Sequence, residues 1–339
     1  MKGTSGARIK FAPMTLTEIP ATAPAPEDPV SDPRRRRLLT LSLYGVAFLA
    51  WWLVIGLPTD PMVAFGWLWL ATIAWNSDRP WREHLRFARD WVPVLILLVL
   101  YDFSRGFADR LWEPHITAMI RADEALFGGV PTVWLQEHLY RPGHVHWWDV
   151  LVSWVYFSHF VVSLGVAVVL WLRSRALWAA FMRRWFFLTA AGLLTYFAFP
   201  AAPPWYASKY GYLPETVYRI SGEGWNAIGL HGAGKLLNVG QALSNPVAAM
   251  PSLHSGFAML VVAFFFSRVR RRWIPLLLLY PLAMTFSLVY SGEHYVIDVL
   301  VGWSYVLITL LVVGSAERWW RRRQPKIQGS VHPRIRQST

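Results

Sequence analysis

The chain has 339 residues, 55% of them hydrophobic, with 21 Trp, no Cys and a formal net charge of +13. Without cysteine there is neither a disulfide framework nor thiol chemistry. A strong positive charge can indicate nucleic acid, but here the basic residues form short clusters beside long apolar runs, as in the cytoplasmic loops of membrane proteins, so no nucleic-acid partner is expected.

Residues 1–37 are rich in Pro, Ala and Thr and end in Arg34-Arg35-Arg36-Arg37. They lack apolar periodicity and read as a disordered cytoplasmic tail. No apolar stretch follows a basic start within the first residues, so a cleaved signal peptide is not expected. Apolar runs then lie near 38–57, 61–76, 91–105, 147–172, 185–200, 247–267, 273–290 and 295–316, the second and third being short. A bilayer-spanning helix needs about 20 such residues. Trp residues gather at the run ends (Trp51, Trp52, Trp147, Trp148, Trp319, Trp320), where amphipathic rings prefer the headgroup level. If Arg34–Arg37 are cytoplasmic, eight crossings return every dense basic cluster to that side: Arg79–Arg89, Arg173–Arg184, Arg268–Arg272 and Arg318–Arg323. The expected fold is all-α, a polytopic transmembrane bundle of about eight spans in the plasma (inner) membrane, with both termini cytoplasmic. Residues 106–146 and 201–246 then lie outside. The amphipathic stretch Ile116–Phe127 reads either as an interfacial helix or as a plain connecting one. No internal repeat and no second soluble domain is visible.

Two histidine motifs stand at the outer ends of late apolar runs: Pro251-Ser252-Leu253-His254-Ser255-Gly256, and Tyr290-Ser291-Gly292-Glu293-His294-Tyr295-Val296-Ile297-Asp298. Ionisable groups at membrane depth are functional candidates. His294 and Asp298 are spaced i, i+4 and share a helix face. The carboxylate can accept the Nδ1 hydrogen and leave Nε2 free to attack; equally, such a pair can simply tie a helix down. In the first motif, Pro suits a first helical turn. The free N–H groups there attract anions, Ser252 and Ser255 add hydroxyls, and His254 can protonate a departing oxygen. A serine-hydrolase elbow G-x-S-x-G is absent. A metal site using His231, His254, His294 and Asp298 would match no common zinc spacing, so neither metal nor cofactor is expected.

The pair of motifs resembles the type-2 phosphatidic acid phosphatase superfamily of membrane lipid phosphatases and phosphotransferases. Its second motif, P-S-G-H, is matched by Pro251-Ser252-Leu253-His254 with Leu for Gly. Its third, S-R-x5-H-x3-D, is matched in register by Ser287, His294 and Asp298. The resemblance implies that His294 is the nucleophile, Asp298 its partner and His254 the general acid. It also implies a six-helix catalytic core over roughly 91–316, two accessory helices over 38–90 and a basic cytoplasmic tail over 317–339. The third-motif arginine is replaced by Leu288, and the first motif, K-x6-R-P, gives way to Phe199-Pro200-Ala201-Ala202-Pro203-Pro204-Trp205-Tyr206. These departures resemble the inositol phosphorylceramide synthase-like branch, whose members transfer a phosphorylated headgroup.

Charge points the same way. A phosphate monoester, close to dianionic, favours several cations, whereas a diester carries one negative charge and needs fewer. Substitutes for the missing arginines are Arg105, favoured because Tyr101 and Asp102 make its helix end polar, and Lys209, Arg219 and Lys235 in the outer loop. The leading expectation is a phosphotransferase working through a phosphohistidine at the extracytoplasmic face, with a phospholipid or lipid phosphate as substrate and the bilayer as its setting. The alternatives are a lipid phosphate or polyprenyl (di)phosphate phosphatase using the same residues, and a non-enzymatic lipid-binding or transport protein. No oligomeric state is read from the sequence.

Overall fold

The computed structural model describes residues 32–55, 61–104, 113–229 and 246–323, which are mostly helical and contain no strand. Eight helices fall on the eight predicted segments: α1 (Pro33–Val54), α2 (Pro61–Trp75), α3 (Trp81–Ser104), α6 (Trp147–Arg173), α7 (Arg175–Ala198), α10 (Leu253–Phe265), α11 (Ile274–Tyr290) and α12 (Val296–Arg323). Four shorter helices lie between them: α4 (Thr117–Phe127), α5 (Pro131–Leu139), α8 (Pro204–Lys209) and α9 (Glu223–Ala227). Among the described residues, α1, α6, α12 and the Arg271–Tyr290 stretch containing α11 are long and apolar enough to cross a membrane. The apolar parts of α2 and α10 are shorter.

Several boundaries differ from expectation because caps, not hydropathy, set helix ends. Asp32 accepts from the Arg34 N–H and Pro33 occupies the first turn, so Arg34–Arg37 are helical and not part of a tail. The rest of that predicted tail, residues 1–31, lies outside the described residues. Ser174 caps α7, which starts ten residues before the apolar run. Pro251 lies before the cap of α10 and not in its first turn; Ser252 is the cap and accepts from the Ser255 N–H. At the other end α12 continues through the arginines to Arg323, and the remaining basic residues lie outside the described ones.

The chain divides into two compact units, residues 1–92 and 93–339, the division falling inside α3. In the first, Trp67 on α2 meets Tyr44, Phe48 and Trp51 on α1 edge-on, with centroids 5.7, 5.1 and 5.8 Å away. Such aromatic geometry suits apolar helix pairs. Thr40 also donates to the Ala74 carbonyl at 2.7 Å, joining α1 to α2.

In the second unit, α6, α7, α10, α11 and α12 pack together. Hydroxyl groups are buried among the apolar side chains of their interior, and leucines cover their outer surface. Ser153, Thr189, Ser287 and Thr309 are buried and donate to backbone carbonyls, while Leu276, Leu279, Leu282, Leu307 and Leu311 face outward. A water-soluble domain would reverse this pattern; lipid as solvent does not require it to. Gly256 on α10 faces Gly302 on α12, which lets these two backbones approach closely. Following the chain through the bundle, Arg173, Arg183, Arg184, Arg268–Arg272 and Arg318–Arg323 gather at one end, and His254 and His294 lie toward the other. At the arginine end Glu317 of α12 bridges Arg183 and Arg184 of α7 at 2.6 and 2.9 Å.

A collar of loops and short helices covers the histidine end. Three segments are knitted by backbone bonds: His115 N–H to Pro200, Ala202 N–H to His115, Ala201 N–H to Val247 and Ala249 N–H to Ala201. Beneath them Met119 and Ile120 of α4 pack with Ala201, Val247 and Tyr295. The inward face of the predicted amphipathic stretch is therefore packed on protein, as in a connecting helix, while Leu126 and Phe127 remain exposed.

Candidate active site

Two helix N-termini build the site. Residues 291–295 turn the chain from α11 into α12. The turn uses Gly292 at φ 75°, where a Cβ would also lie 2.9 Å from the Tyr218 carbonyl, so only glycine fits without strain. The first N–H groups of α12 need partners. Asp298 supplies one, accepting from Tyr295 N–H at 2.9 Å. Asp123, reaching from α4, accepts from Val296 and Ile297 at 3.0 and 2.9 Å. Burial pushes the Asp123 carboxyl up to about 6, against the two backbone bonds that pull it down, with Asp298 adding to the rise. Its two bonds join the collar to the start of the helix that carries Asp298.

His294 is 4% exposed, and its Nδ1 stands 3.5 Å from Asp298 Oδ2, the oxygen that also caps Tyr295. That distance is long for a hydrogen bond; catalytic bonds often tighten only with substrate in place. The two histidine rings are 5.6 Å apart, centroid to centroid, at 60°. The rings meet edge to face, so both can reach one phosphorus atom seated beside them. His254 Nε2 is buried and has no protein partner. Ser252 N–H donates to the Asp298 carbonyl at 3.0 Å, so the two motifs are tied through their backbones as well.

The other predicted residues are placed differently. Ser252 Oγ caps its own helix. Ser255 Oγ accepts from Trp303 at 2.7 Å and meets Thr285 at 3.4 Å, which commits it to helix packing. Ser287 donates to Val152 and ties α11 to α6. Lys209 is exposed with its ammonium 5.5 Å from the Tyr210 ring, and no contact joins it to either histidine among the described residues. The phosphate-binding role expected of Lys209 is thus not supported by its position at the exposed end of α8. Arg105, Lys235 and His231 lie outside the described residues.

Arg219 takes the place nearest the chemistry. Its Nε and Nη2 donate to the two oxygens of Glu293 at 2.8 and 3.0 Å, Ser221 donates to the same carboxylate at 2.5 Å, and its guanidinium lies 4.8 Å from the Trp205 ring. Its partner Glu293 directly precedes His294 and donates its N–H to the Leu288 carbonyl at 3.1 Å. Leu288, which stands where the third-motif arginine would be, is fully buried against Tyr156. The loop guanidinium therefore reaches the neighbourhood that Leu288 leaves uncharged. Gln136 fixes the strap that carries Arg219: its amide donates to the Tyr218 and Tyr290 carbonyls and accepts from Tyr218 N–H, each at 2.8 Å. A second clasp joins Tyr140 to Glu223, where burial raises both groups above their ordinary values.

Sequence reasoning missed Asp123, Gln136 and a third imidazole, His159 of α6, whose centroid lies 4.0 Å from that of His254. Asp123 and Gln136 sit in connecting segments and carry no motif. His159 did carry a signal, a histidine inside an apolar run.

Comparison with known proteins extends this picture. Residues 117–312 match the PAP2 superfamily, more than half of the chain. The chain is 28% identical over 227 residues to the phosphoinositol dihydroceramide synthase of Bacteroides thetaiotaomicron, covering 64% of this chain and 73% of that protein. It is 26% identical over 220 residues to the inositol phosphorylceramide synthase catalytic subunit of Schizosaccharomyces pombe, and 28% over 230 residues to that of Saccharomyces cerevisiae. These matches cover 63% and 64% of this chain and 51% and 54% of the yeast proteins, about half their length. No solved structure matches significantly. The family match spans the collar, both histidine turns and the helices between them, and on that extent the chain belongs to the PAP2 superfamily.

Proposed function

We propose that this membrane protein is a phosphotransferase that moves a phosphorylated headgroup from a phospholipid to an acceptor hydroxyl. By analogy with the relatives' names, the headgroup is phosphoinositol and the acceptor a ceramide-type alcohol. The observation that carries the reading is the pairing of His254 and His294 at 5.6 Å with Asp298 behind the second ring.

The geometry supports a two-step displacement. Asp298 holds the His294 Nδ1–H, so Nε2 presents its lone pair and attacks phosphorus. The P–O bond to diacylglycerol breaks as the P–N bond forms, and protonated His254 gives its proton to the departing oxygen. The acceptor hydroxyl then attacks in reverse: His254 takes its proton, the new P–O bond forms and His294 leaves. Arg219 uses two donors on Glu293 and keeps others for a phosphoryl oxygen. One guanidinium, already paired with a carboxylate, suits a singly charged diester better than a dianionic monoester. The relatives' names also favour transfer over hydrolysis. The histidine end, opposite the arginine clusters, faces the extracytoplasmic side under the positive-inside rule.

Purified protein given labelled phosphatidylinositol and ceramide is expected to form labelled phosphoinositol ceramide, and His294→Ala none. Release of free headgroup phosphate with no dependence on acceptor would replace transfer by hydrolysis.

A further inference from the structure

We propose that His159 is a positioning residue for the general acid, holding the His254 imidazole in the orientation that delivers its proton to the departing oxygen. This rests on the phosphotransfer reading above. Tyr156 and His159 lie one turn apart on the same face of α6, and the His254 ring contacts both: Tyr156 stacks at 5.1 Å and 23°, His159 packs at 4.0 Å and 37°. Phe160 closes a third side, edge-on at 6.0 Å. His254 Nε2 makes no hydrogen bond to protein. The ring's direction is therefore set by its walls, since an imidazole in a first helical turn otherwise has several rotamers open to it.

A phenylalanine would wall the ring equally well, and the choice of imidazole needs a reason. His159 Nδ1 is buried without a partner, which costs free energy that Phe would not incur. That cost points to a polar role: His159 Nδ1 and His254 Nε2 are two buried nitrogens without protein partners, on rings whose centroids are 4.0 Å apart. His159 thus meets the general acid on its ring face and brings a polar edge to it. The titratable rings that meet His254 are His294 on one side and His159 and Tyr156 on α6.

Leaving-group chemistry separates this role from plain packing. Two donors with the same headgroup are compared, one losing diacylglycerol and one losing p-nitrophenol, which departs without a proton. In His159→Phe, kcat/KM for the donor, which reports formation of the phosphohistidine and not the shared second step, is expected to fall about 10–100-fold on the lipid donor and less than about threefold on the nitrophenyl donor. His159→Gln, which keeps a polar side chain beside the His254 ring, is expected to recover part of the loss and to carry the same comparison should the Phe variant not fold. Equal losses on both donors, or no loss on either, would overturn the role. His294→Ala serves as the control for the underlying reading: activity retained there would overturn phosphotransfer itself, whereas a dead His294→Ala with equal His159→Phe losses removes only this proposal.

Discussion

A Cβ built on Gly302 would stand 2.5 Å from the carbonyl oxygen of Ser252, with the rest of the Ser252 backbone within 3.4 Å. The cap of the His254 helix therefore rests directly on the His294 helix. Gly302→Ala is expected to push the two turns apart and lower kcat/KM at least about tenfold, since misplacement near 1 Å costs on the order of 100-fold. Gly256→Ala, whose new atom would meet Gly302 at an ordinary 3.6 Å, is expected to leave activity within about threefold. Steady-state kinetics of the two variants in one detergent decide this.

Asp298 serves both a ring and a backbone. In Asp298→Asn the carbonyl oxygen can still accept from Tyr295, but the His294 tautomer is no longer enforced. Activity is expected to fall about 10²–10⁴-fold while the melting temperature shifts by only a few degrees. A large drop in both would show that capping, not orientation, is the main role.

Arg219 holds Glu293 through two parallel donors. Lysine has a point charge in place of that fork. Arg219→Lys is therefore expected to resemble Arg219→Ala, each losing about 10–100-fold in kcat/KM. Full activity in the lysine variant, measured in the headgroup-transfer assay, would show that charge alone is enough.

Asp123 supplies the pH dependence. Its carboxyl is raised from 3.8 to about 6 in the folded chain, so between those values the native state holds more proton than the unfolded state. The contribution of this group to stability thus rises as pH falls from 6 toward 4 and is lost above 6. Asp123→Asn removes that slope. The stability difference between wild type and variant is expected to move in favour of wild type as pH drops from 7.5 to 4.5, followed by thermal unfolding in micelles.

The long helices were legible because lipid as solvent writes itself into uninterrupted apolar runs, and the arginine clusters punctuate them. Helix ends were less so: Pro33, Arg175 and Arg323 lie within polar stretches that hydropathy excludes but caps and ion pairs accept. His254, His294 and Asp298 could be grouped from spacing alone because one hairpin, α11 into α12, returns the chain to the same end. Arg219 was one of three loop cations ranked behind Arg105, and only the fold of the strap under Gln136 distinguishes it from Lys209. Asp123 was unreadable as a cap, since its clients Val296 and Ile297 lie more than 170 positions away.

The separation of the arginine end from the histidine end has a practical meaning for reconstitution. On the proposed mechanism donor and acceptor enter from one and the same leaflet, because both reacting oxygens visit a single pair of imidazoles. In vesicles with random insertion, half of the molecules will be blind to lipid supplied from outside, and a turnover number counted on total protein will come out at half its true value.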